Sequence, residues 1–307
     1  MKPNIRIGTR ESQLAVWQAM QVQQLLSKFS YSSELVYIRS EGDIDLHTPL
    51  YEMGVQGVFT RSLDAALLND RIDIAVHSMK DVPTQLPNGI VQAAVLPRGP
   101  VNDLIVFKDD RSFLNRQDYP ANIATSSLRR KAQWLHKFPG HHIHNLRGNV
   151  NTRLRKLTEE NWDAAIFAQA GLERIGLRPE NSQVIDWMLP APAQGAIMIV
   201  CRDNDEMVKE ACRNFDDETT ALCTKIERDF LRALLGGCST PISALAVAEE
   251  NTIHFRGNIL SLDGTKIAGT DMIAGRNEAI TLGKQAADQV LKSGGKEIVE
   301  EIKHAFN

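Results

Sequence analysis

The sequence predicts an α/β protein of two doubly wound lobes with a cleft between them, followed by a small α+β C-terminal domain. Three observations carry this. Apolar β-branched runs alternate with helical stripes from Asn4 to Val76 and again from Asn122 to Ile175, the signature of parallel strands covered by helices. Two breakers, Pro97-Arg98-Gly99-Pro100 and Pro190 to Gly195, mark two crossings between such units, and a doubly crossed pair of lobes can hinge shut on a ligand. From Asp217 the pattern changes to one long amphipathic helix and three short strand-like runs. The expected domains are 1–98 with 197–215, then 99–196, then 216–307.

Taken in order, Asn4 to Gly8 reads as a strand, and Ser12 as the N-cap of a helix whose Leu14, Trp17, Val22, Leu25, Leu26 and Phe29 form one apolar stripe. Glu34 to Ile38 is a second strand. The polar, glycine-containing loop EGDIDLHTPLYEMGVQG is long for a connection, which suggests a functional loop. A helix over Val58 to Asp70 leads to the strand Ile72 to Val76. Ile90 to Leu96 and Asp103 to Phe107 are further strands. Beyond the first crossing come strands at Asn122 to Thr125, His142 to Leu146 and Ala164 to Ala168, with helices from Ser127 to Lys137, Val150 to Leu157 and Gly171 to Ile175. Ala196 to Cys201 is the returning strand. The last domain has a helix through Leu234, strands at Ala244 to Val247, Thr252 to Asn258 and Lys266 to Thr270, and a final helix over Glu278 to Leu291.

Composition narrows the function. Hydrophobic content of 43% and charged content of 24% are ordinary for a globular protein. No apolar run of signal-peptide length follows the start, and no segment reaches the ~20 apolar residues that span a bilayer. A cytoplasmic protein without membrane attachment is expected. Cys201, Cys212, Cys223 and Cys238 lie too far apart for a zinc motif and form no disulfide framework, so no metal is expected. Net charge is −3, yet from Asn122 to Leu157 there are eight Lys or Arg and no acid, which points to a local anion-binding surface. Nucleic acid is disfavoured, since aromatics for stacking are few and no recognition pattern is present.

Three strand-to-helix turns bear arginine: Arg10 with Ser12, Ser126-Ser127 with Arg129 and Arg130, and Arg147 with Arg153. Helix N-termini favour anions, and the guanidinium fork matches a carboxylate bidentately. The run IDIAVHSMKDVP ends a strand in His77, Ser78, Lys80 and Asp81, and Pro83 forbids a helix there. Ligands of open α/β sheets bind beyond strand ends, so the Lys80–Asp81 pair is either a site or a capped turn. His77 reads as a buried, hydrogen-bonded histidine. His136, His141, His142 and His144 lack carboxylate or thiol company and read as a solvated hairpin edge. Cys238, on the turn Gly236-Gly237-Cys238-Ser239-Thr240-Pro241, has the most approachable setting of the four cysteines. No histidine flanks it as a base; an attachment point for a prosthetic group fits the turn equally well.

Together the motifs RIGTRES, GVFTRSLDAALL, DIAVHSMKDVP, TSSLRR, LRGNVNTRL, AGLERIGL, LPAPAQGAI and GGCSTP resemble the porphobilinogen deaminase (hydroxymethylbilane synthase) family in order and spacing, over roughly Ile5 to Pro241. The resemblance implies lobes of periplasmic-binding-protein type. It implies a dipyrromethane cofactor held by Cys238 through a thioether, with Asp81 as the catalytic carboxylate. Lys80, Ser127, Arg129, Arg130, Arg147 and Arg153 would bind cofactor, and Arg10, Ser12 and Arg174 substrate. The implied reaction joins four porphobilinogen molecules head to tail on the cofactor, releases ammonia at each step, and frees hydroxymethylbilane by hydrolysis for tetrapyrrole (porphyrin and haem) synthesis. A monomer is implied, with the product passed to uroporphyrinogen-III synthase. Each pyrrole carries two carboxylates, so a chain of pyrroles calls for many arginines.

The chain departs from the family pattern at Glu41, at Glu52 and Gln56 where lysines are usual, at Leu235, and at Pro192-Ala193 before Gln194-Gly195. A two-lobed small-anion-binding or sensor protein would share the lobes and arginine turns, but gives no use for Cys238.

Overall fold

The computed structural model describes residues 4–40, 57, 59–116, 118–234 and 240–306. In chain order the elements are β1 (Ile5–Thr9), α1 (Gln13–Lys28), β2 (Ser33–Tyr37), α2 (Arg61–Leu68), β3 (Ile74–Ser78) and β4 (Ile90–Val95). Next come β5 (Asp103–Phe107), β6 (Asn122–Ala124), α3 (Leu128–Lys137), β7 (His142–His144), α4 (Val150–Glu159), β8 (Ala164–Ala168), α5 (Gln169–Glu173) and β9 (Ser182–Ile185). Then follow β10 (Ile197–Arg202), α6 (Glu206–Arg213), α7 (Glu218–Leu234), β11 (Ile242–Glu249), β12 (Thr252–Leu260), β13 (Ile267–Gly275), α8 (Leu282–Val290) and α9 (Lys296–Phe306). These make two sheet-and-helix lobes and a small C-terminal sheet. Contacts gather the described residues into two compact units, one of 4–40, 57–99 and 195–222, the other of 100–194 and 223–306.

In the first unit the strand order is β2-β1-β3-β10-β4. β1 runs parallel to β2 and β3, while β10 is antiparallel to both β3 and β4. The all-parallel sheet expected from the β-α-β pattern is thus corrected: the strand arriving after the return crossing enters reversed. Nothing in an apolar run such as Ile197 to Cys201 encodes direction, because a strand buried on both faces reads the same either way. The core joins Ile5 and Ile7 of β1, Ala19, Val22 and Leu26 of α1, and Ile199 and Cys201 of β10. Burying each large aliphatic contributes about 1.5–3 kcal/mol. α6, absent from the sequence reading, closes this face with Val208, Ala211 and Cys212, and Asp205 caps it by accepting from the N–H of Val208.

The second sheet has the order β7-β6-β8-β5-β9, again with one reversed strand, β5, antiparallel to its neighbours. β5 shows the period of two directly. Ile105 and Phe107 pack with Trp134 on one face, while Leu104 and Val106 pack with Leu157 and Leu172 on the other. β7 is an edge strand, as expected of the histidine run, but it pairs parallel to β6 across α3 rather than as a hairpin. His141 is not solvated. It is buried, accepts from Trp134 Nε1 at 3.2 Å and stacks on Phe138 at 5.0 Å between ring centroids.

The C-terminal sheet is antiparallel, β11-β12-β13, with Phe230 of α7 edge-on to Phe255 of β12. Gly264, in the β12–β13 turn at φ +77°, lies against α3: a Cβ there would meet the carbonyl oxygen of Ala132 at 2.4 Å. His136 Nδ1 donates to the Gly264 carbonyl at 2.7 Å. A kink at Gly294 (φ +97°) separates α8 from α9, which is also unforeseen from sequence and buries Ile298, Val299 and Ile302.

Candidate active site

Two groups of the sequence-predicted residues come together, one in each unit. In the first, the ends of β1 and β3 and the start of α1 line a pocket that includes Arg10, Ser12, His77, Ser78 and Asp81. Ser12 is the N-cap of α1, as expected, its Oγ accepting from the Ala15 N–H at 3.4 Å. The oxygen accepts there, so the hydroxyl can still donate. Arg10 follows β1 directly and its guanidinium stacks 4.3 Å over the Phe59 ring, an arrangement that keeps a half-buried cation oriented.

β3 runs two residues further than expected, to Ser78, and passes into a 3₁₀ turn over Met79–Asp81. The Met79 N–H donates to the Ala196 carbonyl at 3.0 Å, which pins this turn to the strand beside it. Asp81 is exposed at the pocket, whereas Lys80 is half-buried and is not among the pocket-lining residues. His77 is buried as expected, but its Nε2 has no hydrogen-bond partner among the described residues. Burial first, and the charge of Arg10 second, push its pKa down to about 4, so the imidazole is neutral near pH 7. Gln18 and Phe59 also line the pocket. Gln18 had a sequence signal: it sits four residues from both Leu14 and Val22, on the buried face of α1, where a polar side chain needs a partner. It has one, since its Nε2 donates to Ser78 Oγ at 2.9 Å.

The second group is built on the N-terminus of α3. Ser127 is the N-cap, accepting from the Arg130 N–H at 3.4 Å. Arg129 and Arg130 are both buried and both turn to Asp103, which opens β5 and is fully buried. Arg130 donates to Oδ1 from Nε at 3.1 Å and from its terminal nitrogen at 2.7 Å. Arg129 pairs with Oδ2 at 2.8 Å and donates to the Leu189 carbonyl at 2.8 Å. Burial lowers the Arg129 pKa, opposed by Asp103 and reinforced by Arg130. Its Nε has no hydrogen-bond partner among the described residues. Gln194 completes the cluster, donating to Asp103 Oδ1 at 2.9 Å and to the Val101 carbonyl at 2.7 Å. Asp103 and Gln194 were not read as site residues from sequence; an acid on a buried strand start opposite an arginine doublet is the signal that was there.

Arg147 is buried in the turn before α4. Arg153 donates from Nε to the Gly148 carbonyl at 2.7 Å. Gly148 sits at φ +111° with Thr152 2.7 Å from where a Cβ would be, so the turn has no room for a side chain. Arg174 caps α5, and burial pushes its pKa down to about 10. Cys238 and the loop positions Glu41, Glu52 and Gln56 lie outside the described residues, as does Leu235. Cys201, Cys212 and Cys223 are buried and reduced, the thiol of Cys201 pushed up to about 11 by burial. No cluster of three potential metal ligands occurs among the described residues.

The family models and the curated relatives agree on one family. The model of the porphobilinogen deaminase dipyromethane cofactor binding domain matches residues 5–210, and that of the porphobilinogen deaminase C-terminal domain matches 221–292. Porphobilinogen deaminase of Syntrophotalea carbinolica is 41% identical over 299 residues, covering 96% of this chain and 95% of that protein. The proteins of the same name from Pelotomaculum thermopropionicum (41%, covering 98% and 97%) and Desulforamulus reducens (38%, covering 99% of each) are similar to it over nearly their whole lengths. Among solved structures, the methionine binding protein MetQ gives a TM-score of 0.45 at 17% identity, covering 71% of this chain and 92% of that one.

Proposed function

Because the chain belongs to the porphobilinogen deaminase family, we propose that Asp81 is the carboxylate on which its condensation of porphobilinogen turns, and that Cys238 holds the dipyrromethane primer. The family's reaction, head-to-tail joining of porphobilinogen with loss of ammonia, belongs to tetrapyrrole biosynthesis. The observation that carries the assignment of Asp81 is the pocket itself. There a carboxylate at the end of β3, a guanidinium at the end of β1 and a helix N-cap hydroxyl line one space.

The charges divide the work. Arg10 and the Ser12 hydroxyl suit a substrate carboxylate, one as a fixed cation and the other as a donor at a helix N-terminus. Asp81 accepts only, so it takes pyrrole N–H groups, and positive charge that develops on the ring is stabilised against it. His77 is neutral and adds no charge to compete with Asp81. The donor set of the second unit fits a polyanionic primer: Arg129 and Arg130 share one carboxylate, and Arg129 Nε is a buried donor not satisfied by the described residues. Ser127, Arg147, Arg153 and Lys80 are assigned as further contacts to it, and Arg174 to substrate. When bound, the primer supplies the free pyrrole α-carbon to which each new unit is joined.

We read the chain as three domains, 1–98 with 197–215, 99–196 and 216–307. No described helix is long and apolar enough to cross a membrane. We place the protein in the cytoplasm as a monomer, without nucleic acid, passing its product to uroporphyrinogen-III synthase.

Intact mass tests the reading. The wild-type chain should carry an adduct of two linked pyrroles that gives colour with an aldehyde reagent, and Cys238→Ser should lack it. An unmodified, active wild-type chain refutes the assignment of Cys238.

A further inference from the structure

The face of α3 that carries Arg129 is the face that seats on the C-terminal sheet. Arg129, Ala132, Gln133 and His136 recur at the three- and four-residue spacing that stacks side chains along one side of a helix. Gly264 of the β12–β13 turn packs on the Ala132 carbonyl, and His136 Nδ1 donates to the Gly264 carbonyl at 2.7 Å. Gln133 meets the start of β11. It is buried, and both polar atoms of its amide are engaged. Its Oε1 accepts from the Leu189 N–H at 2.9 Å, and its Nε2 donates to the Leu189 carbonyl at 3.0 Å and to Ser243 Oγ at 3.0 Å. The side chain thus pairs with both backbone groups of Leu189, as a residue in a neighbouring strand would. The same Leu189 carbonyl accepts from Arg129 at 2.8 Å, and the next carbonyl, that of Pro190, accepts from the Ala244 N–H at 3.2 Å. Ser243 is fully buried and follows Cys238 by five residues.

We infer that Gln133 is a positioning residue, which holds Arg129 in register with the strand that leaves the cofactor cysteine. This rests on the reading above that Cys238 carries the primer and that Arg129 binds its carboxylates. A primer tied to the chain at one end and to a guanidinium at the other tolerates little change in the span between them. Gln133 joins the two ends. It shares the Leu189 carbonyl with Arg129 and reaches Ser243 with its second amide proton. A misplacement of about 1 Å can slow a reaction about a hundredfold. Substrate binding is assigned to Arg10, Ser12 and Arg174, which Gln133 does not touch. Its loss should therefore slow primer assembly and turnover without weakening the hold on porphobilinogen.

The test is Gln133→Met, which keeps the length of the side chain and removes its hydrogen bonds, made in the full chain alone and combined with Arg129→Gln. The fraction carrying the two-pyrrole adduct is read by intact mass. On that loaded fraction kcat and KM for porphobilinogen are read at a temperature where the variant is folded. Gln133→Met should lower the adduct-bearing fraction and cut kcat about tenfold, with KM within about twofold of wild type. Because Gln133 acts through Arg129, adding Gln133→Met to Arg129→Gln should cost less than about a further threefold. A wild-type adduct fraction and kcat, with only the unfolding temperature lowered, would make Gln133 a packing residue and overturn the inference. So would losses that multiply in the double variant. If Gln133→Met does not fold, Ser243→Ala decides on the same readouts, since it removes the bond to the C-terminal sheet and spares those to Leu189. Lowered kcat at unchanged KM then supports the register, and wild-type values overturn it. Failure of the underlying reading looks different: Arg129→Gln by itself would then keep a normal adduct fraction and kcat.

Discussion

Glu227 Oε2 accepts from the backbone N–H of Ala193 at 2.6 Å, and Ala193 is held at φ +61°, a left-handed conformation that an alanine adopts only under constraint. The other carboxylate oxygen of Glu227 accepts from the Ala246 N–H at 2.8 Å. One fully buried side chain thus fixes both the strained return crossing and the start of the C-terminal sheet.

Relieving that strain should stabilise the protein. Ala193→Gly removes a steric penalty of about 1–2 kcal/mol and regains part of it as unfolded-chain entropy. A net gain of about 0.5–1 kcal/mol in urea unfolding is expected. Glu227→Gln should lose about 1–3 kcal/mol, since the amide faces one of two buried N–H donors with a donor of its own. A destabilised Ala193→Gly would show that the left-handed residue carries no strain.

Asp81 is exposed, so its removal should leave the fold intact. Asp81→Asn is expected to unfold at the same temperature as wild type while kcat drops by about 10²–10³, the loss usual when one preorganised electrostatic partner is taken away. Single-turnover measurements on cofactor-loaded protein check this directly.

Asp103→Ala strands two buried guanidinium groups and should cost about 3–5 kcal/mol. Arg10→Leu, at a half-buried position, should be far milder in urea unfolding but raise KM for porphobilinogen. The contrast separates a carboxylate that holds buried guanidinium groups in the interior from a guanidinium that faces the pocket.

His77 gives a stability change with pH of defined sign. Its folded pKa, about 4, lies below the ordinary histidine value, so between pH 6.5 and 4 the unfolded chain binds the proton that the folded chain refuses. The contribution is complete above the unfolded value and is lost as pH falls toward the folded one. From pH 7 to pH 5 wild type should lose about 2 kcal/mol more than His77→Gln. Parallel losses in the two proteins would mean that His77 takes up its proton normally.

Local pattern carried much of this protein. Ser12 and Ser127 were legible as N-caps from the residues that follow them, and both lobes from the alternation of apolar runs. The reversed direction of β5 and β10 was not, because strand direction is set by the crossings and not by the side chains in the strand. α9 escaped notice behind Gly294-Gly295, although Ile298 and Ile302 stand at helical spacing. In the site, the arginines were legible by type and by position after strands. Their inward turn was not, since it depends on Asp103, which is 26 residues earlier in the chain than Arg129. The unsatisfied Nε2 of His77 could not be foreseen either, because satisfaction depends on which neighbours the fold supplies.

The seat of Gly264 on α3 has a kinetic meaning. His136 and the carbonyl it reaches are 128 residues apart, so the arginine-bearing helix acquires this neighbour only when most of the chain has been synthesised. Contacts so distant in sequence close slowly. A nascent chain arrested before residue 264 would present the outer face of α3 uncovered, and that interval is where a chaperone would find this protein.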